Sequence, residues 1–178
     1  MRSQGLNRKQ NTRRLPAWPL LTACLTAGIV LAAGAPCAAQ ETVNITLPGA
    51  VSFAVINVST ATTGGPNPAT ITYDSASLTS GHYMRISIEA DSANFTRPAA
   101  AGGSIPAGNV SWTAGGATGG TGYGGTLSAT MYTRVFDSET DPSVGSANLT
   151  WTLAAPGDTV RAGDHTLTAT WKIESMAP

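Results

Sequence analysis

Two antiparallel β-sheets stacked face to face are the body this sequence predicts from residue 40 onward, and three observations predict it. Apolar residues recur at every second position in several segments, the period of a strand with one buried face. Clusters of Gly, Pro, Asn and Asp separate those segments, and no stretch has helical period. Each segment sets a wet face rich in Thr and Ser against a dry one, so the dry faces must cover each other.

The elements follow in order. Short strands are expected at 43–47, 51–58, 69–73 and 109–113, with a bulge where Val55-Ile56-Asn57-Val58 breaks the alternation. Met84, Ile86, Ile88 and Ala90 alternate with Tyr83, Arg85, Ser87, Glu89 and Asp91. Leu127, Ala129, Met131 and Val135 alternate with Thr126, Ser128, Thr130, Tyr132 and Arg134. Ala147, Leu149, Trp151 and Leu153 form the next dry row, and Leu167, Ala169, Trp171 and Ile173 the last. About eight strands result, arranged as an immunoglobulin-like two-sheet sandwich in one domain over 40–178. A closed barrel is the alternative, because period alone does not fix how a sheet closes. Trp112, Trp151 and Trp171 fall on inward positions, each contributing about 2–3 kcal/mol on burial. Two connections stand out: the long 92–108, and 114–125, in which seven of twelve residues are glycine and which reads as a flexible spacer carrying the lone Tyr123.

Residues 1–39 read as a cleaved signal peptide. A basic start ending in Arg13-Arg14 precedes an apolar centre from Leu20 to Ala33, and Cys37-Ala38-Ala39 offers small residues for cleavage before Gln40. A retained anchor competes, since Leu15 to Gln40 carries no charge, but Pro19, Gly28, Gly34 and Pro36 interrupt it. Pro36 weighs against a lipid-modified Cys37, and Pro16-Ala17 weigh against a twin-arginine signal. No second apolar span follows, so no stable membrane span is expected after cleavage.

Composition narrows the function. Beyond residue 39 there are ten acidic and five basic residues, a net charge of −5, and no cysteine, since Cys24 and Cys37 lie in the leader. Disulfide staples, thiolate metal sites, a cysteine nucleophile and a basic nucleic-acid surface are thereby excluded from the body. Gly120-Thr121-Gly122-Tyr123-Gly124-Gly125 lacks the following helix and the lysine of a phosphate cradle. Asp137, Glu139 and Asp141 alternate in a way that suits oxygen ligation of Ca²⁺, the one metal the sequence suggests, against a reading as a solvated acidic loop. His82 and His165 stand at strand starts with no serine elbow, so no enzyme is expected and no catalytic residue is assigned. Asn44, Asn57, Asn94, Asn109 and Asn148 each begin an Asn-x-Ser/Thr triplet, a pattern that alternation in a Thr-rich sandwich also generates.

The closing run Arg161-Ala162-Gly163-Asp164-His165-Thr166-Leu167-Thr168-Ala169-Thr170-Trp171-Lys172-Ile173 resembles the last strand of secreted bacterial surface sandwiches, the fimbrial subunits and spore-coat-U-like proteins. The opening runs Val43–Leu47 and Val51–Val55 are similar to their first strands. The resemblance implies assembly by strand exchange, one subunit's N-terminal strand, here residues 41–47, completing the next subunit's sheet. Two departures separate the chain from chaperone–usher pilins: it has no disulfide in the body, and it ends Ser175-Met176-Ala177-Pro178 without a penultimate aromatic. The expectation is therefore a secreted, periplasmic or cell-surface protein, structural or adhesive, whose partners are copies of itself or other surface subunits. A carbohydrate-binding module is the alternative, with Tyr83, Tyr123 and Tyr132 as stacking rings and glycans as partners.

Overall fold

A computed structural model of the chain describes residues 40–98 and 102–178. The expected leader, with its cleavage point and both cysteines, lies outside the described residues. Among the described residues ten strands form: β1 (Thr42–Thr46), β2 (Thr62–Thr63), β3 (Ala69–Ser77), β4 (Tyr83–Ala90), β5 (Val110–Thr118), β6 (Gly120–Gly122), β7 (Gly125–Thr126), β8 (Thr133–Ser138), β9 (Gly145–Leu153) and β10 (Ala169–Met176). A 3₁₀ turn at Ala107–Asn109 precedes β5.

One sheet has the order β1-β3-β9-β5-β7, with β2 also paired to β9; the other has the order β10-β4-β8-β6. All pairings between these strands are antiparallel. In immunoglobulin constant-type order, β1, β3, β9 and β5 stand where strands A, B, E and D do, and β4 and β10 stand where C and F do. The short strands β6, β7 and β8 are inserted between D and E. Beside β10, where that order places strand G, no strand pairs among the described residues.

The dry rows close on each other as patterning requires. Met84, Ile86, Ile88 and Ala90 of β4 are buried, as are Ala147, Leu149, Trp151 and Leu153 of β9. Trp112 and Trp151 pack with ring centroids 5.1 Å apart, and Tyr73 lies 5.9 Å from Phe136. Trp171 faces the core but is only half-buried.

Three expectations are corrected. The strand expected at 51–58 does not form. Ser52 makes a single bridge to Gly65, while β2 occupies the edge of β9 that a longer strand would need. Val51 and Phe53 still pack on the core, but Ile56 is fully exposed. The strand expected through Thr126–Val135 is interrupted over 127–132, because β7 belongs to one sheet and β8 to the other. A crossing cannot keep one alternation, so Leu127 is buried and Met131 is exposed.

The third correction concerns the glycine run, which is no spacer. Its chain leaves β5, crosses at Gly119 into β6, and returns to β7. Gly119 has φ +62°, and a Cβ there would strike the Val144 carbonyl and the Tyr73 hydroxyl. Gly145, opposite, approaches Thr118 O and Tyr73 Cε1 so closely that a Cβ would lie 2.5 Å from each. Tyr73 Oη donates to Gly119 O at 2.7 Å, and burial pushes its phenol above the ordinary value. Glycines here let the two sheets meet.

Candidate functional site

On the outer face of the second sheet, cross-strand register builds a charged cluster. Asp137 of β8 stands opposite Arg85 of β4 and, on its other side, opposite Thr121 of β6. Arg85 donates from Nε to Asp137 Oδ1 (2.9 Å) and from Nη2 to Oδ2 (3.0 Å), a two-pronged bond that raises the guanidinium's pKa. Arg134 Nη1 adds a third bond to Oδ2 at 3.2 Å. The same cations hold two rings. The Arg134 guanidinium lies 3.6 Å from the Tyr123 ring centroid, and that of Arg85 lies 5.5 Å from Tyr83 while donating to its hydroxyl at 3.1 Å. A notch of about 540 Å³ opens here, lined by Tyr83, Thr121, Tyr123, Asp137, Glu139 and Thr140.

Two of the three tyrosines expected as stacking rings are thus brought together. Tyr132 is not among them; it stands apart, its ring 5.4 Å from Lys172 Nζ. Arg85 and Arg134 were missed as members of the site. Both fall on outward positions in the sequence pattern, but only strand register shows that they share one carboxylate.

The Ca²⁺ reading of Asp137, Glu139 and Asp141 is not supported by the geometry. Asp137 is bound to two arginines, and Asp141 Oδ1 accepts the Gly81 N–H at 2.8 Å. Among the described residues no three His, Cys, Asp or Glu are grouped to hold a metal ion.

His82 and His165 lie at opposite ends of the sandwich. His82 Nδ1 is 3.0 Å from Ser175 Oγ and 3.5 Å from Glu41 Oε1, and Ser175 Oγ donates to that same oxygen at 3.0 Å. A triad places acid and serine on opposite ring nitrogens, so that the acid orients the base. Here both partners meet the same nitrogen, and the group works as a clasp fastening the start of β1 to the end of β10. Thr79 N–H also donates to Glu41 Oε1 (2.9 Å), and the bonds from Thr79 and Ser175 hold the Glu41 carboxyl below its ordinary value of 4.5.

β1 and β10 are the edges on this side of the two sheets. Residues 42–46 pair with β3 of their own chain, with Val43 and Ile45 packed partly against the core. On β10, Ala169, Trp171 and Ile173 stand opposite Ala90, Ile88 and Ile86 of β4, hence on the inward face. Ile86 is 0% exposed, whereas Ile173 is 42% exposed.

Among the described residues no helix is long and apolar enough to cross a membrane. Comparison with known families, with curated proteins and with solved structures found no match for the chain.

Proposed function

We propose that the chain is a non-catalytic structural subunit, exported to the cell surface or beyond, whose open β10 edge takes up a strand from a neighbouring copy. One observation carries this reading. The inward row of β10 continues the fully buried row of β4, yet it stays half exposed, and among the described residues no strand pairs with the outer edge of β10. An added strand would pair with the outward-pointing backbone groups of this eight-residue strand and cover Trp171 and Ile173. Residues 41–47 of the next copy are the candidate donor. They form a short ladder with β3, irregular between Thr42 and Asn44, and would have to leave it.

Light scattering on the chain from Gln40 onward, a compact unit by itself, tests the reading. Mass should rise with concentration. Ile173→Lys should remain folded and monomeric, and deletion of residues 40–47 should stop growth while leaving β10 able to capture an added peptide of residues 40–48. A monomer at every concentration, or unchanged assembly of Ile173→Lys, removes the proposal.

A second reading, sugar binding, is favoured by the meeting of Tyr83 and Tyr123 beside a carboxylate and two guanidiniums. Flat rings next to fixed polar groups suit a pyranose face and its hydroxyls. Retention on a glycan array that falls with Tyr83→Ala and Tyr123→Ala would support it; no retention by the parent would remove it.

A further inference from the structure

At the end of the sandwich away from the glycine crossing, the sheets part around a cleft of about 1220 Å³. Segments 48–58 and 161–168 form its sides. Val51, Phe53, Phe95, Leu167 and Trp171 line it and are only half-buried, so part of each apolar surface stays accessible.

The five cationic side chains beyond residue 39 divide into two groups. Arg85 and Arg134 are paired to Asp137, and Lys172 to Glu174. The other two, Arg97 and Arg161, have no ion pair among the described residues, and both gather beside this cleft. Arg161 is one of its lining residues. Arg97 Nη1 donates to Gly102 O at 2.6 Å, and Gly102 lies so close to Arg161 that an added Cβ would come 2.9 Å from Arg161 Cγ. One loop thus draws two like charges together at the rim of an apolar trough. They repel each other, and an anion held by both relieves the repulsion. Asp164 shares the rim and opposes that attraction in part.

We propose that this cleft binds an alkyl carboxylate, its chain along Phe53, Phe95, Leu167 and Trp171 and its head at Arg161 and Arg97. A guanidinium meets a carboxylate through two parallel charge-assisted bonds. A neutral alcohol of the same length would fill the trough and leave the cations unanswered, and a cationic amphiphile would meet like charge. The volume is ample for one alkyl chain. The inference does not rest on strand exchange, although Trp171 also belongs to the β10 row that an incoming strand would cover, so that ligand and strand would compete there.

Calorimetric titration of the chain from Gln40 onward with decanoate, 1-decanol and decyltrimethylammonium, each below micelle formation, is the test. Decanoate should saturate one site and bind about tenfold more tightly than either companion. Arg161→Gln should weaken decanoate about tenfold, Arg97→Gln should weaken it less, and both should leave the alcohol unchanged, with thermal melting confirming that these exposed variants stay folded. Phe53→Ser should weaken decanoate and decanol alike, and Asp164→Asn should tighten decanoate alone. The proposal is overturned if decanoate does not bind, if the ammonium binds as tightly, or if Arg161→Gln leaves decanoate affinity unchanged. Binding of the 40–48 peptide without binding of decanoate would give the cleft to a neighbouring copy's strand, overturning this inference and leaving the assembly reading intact.

Discussion

The two ends of this sandwich are built from similarly uncharged sequence and behave oppositely. At one end a run of glycines carries the chain from sheet to sheet past Tyr73 and Phe136, with almost no free space around its Cα atoms. At the other end an apolar run, Val51 to Val58, drapes over a cleft and leaves Ile56 in solvent. Glycine density here marks close approach, and apolar density marks an unclosed edge. A run of either kind takes its meaning from whether a partner strand is waiting for it.

The sharpest way to break that contrast is to change one side chain at each end. Gly119→Ala forces a side chain onto a carbonyl at positive φ and should cost about 3 kcal/mol in urea unfolding. Ile56→Ser, in the apolar run, should stay within about 0.5 kcal/mol of the parent in the same experiment. Equal losses at the two positions would erase the distinction between the ends.

Tyr73→Phe sharpens it further. The ring stays packed against Phe136 while Gly119 O loses one of its two donors and keeps the Glu139 N–H, for about 1 kcal/mol. On the outer face, Asp137→Asn unties both arginines at the partly exposed cluster; after screening by solvent the loss should be on the order of 1 kcal/mol, with Tyr123 freed from its cation.

The smallest effect belongs to the clasp between the two open edges. Glu41 has a folded pKa below its ordinary value of 4.5, so its stabilising bonds to Thr79 and Ser175 are fully present above that pH. They are lost as pH falls through the lower folded value. Glu41→Gln should therefore match the parent in strong acid and fall slightly behind it near neutrality, read from thermal melting across pH. A difference that grows toward acid would have the wrong sign.

How much of this was legible beforehand depends on which force decides each element. β4 and β9 were readable because both rows are buried against the opposite sheet, and burial imposes period 2. Segment 51–58 has the same local pattern but no ladder partner, a fact that lies in β2 and β9 rather than in its own residues. The break at 127–132 was hidden for a similar reason, since the sequence does not announce a change of sheet. At the candidate site, the three tyrosines were visible as outward rings. That Tyr83 and Tyr123 meet while Tyr132 does not depends on register across β4, β8 and β6, and so does the capture of Asp137 by Arg85 and Arg134.

Amide hydrogen exchange across a protein-concentration series tests the central claim most directly, that one end is fastened while the β10 side stands open for a partner strand. The account predicts slow exchange over Gly120–Gly122 at every concentration, fast exchange over 51–58 at every concentration, and, within Ala169–Met176, slow exchange of the amides that face β4 with the amides on the opposite edge of β10 becoming protected only as concentration rises. Protection of the outer-edge β10 amides in dilute monomer, or a glycine run exchanging as fast as 51–58, would contradict it.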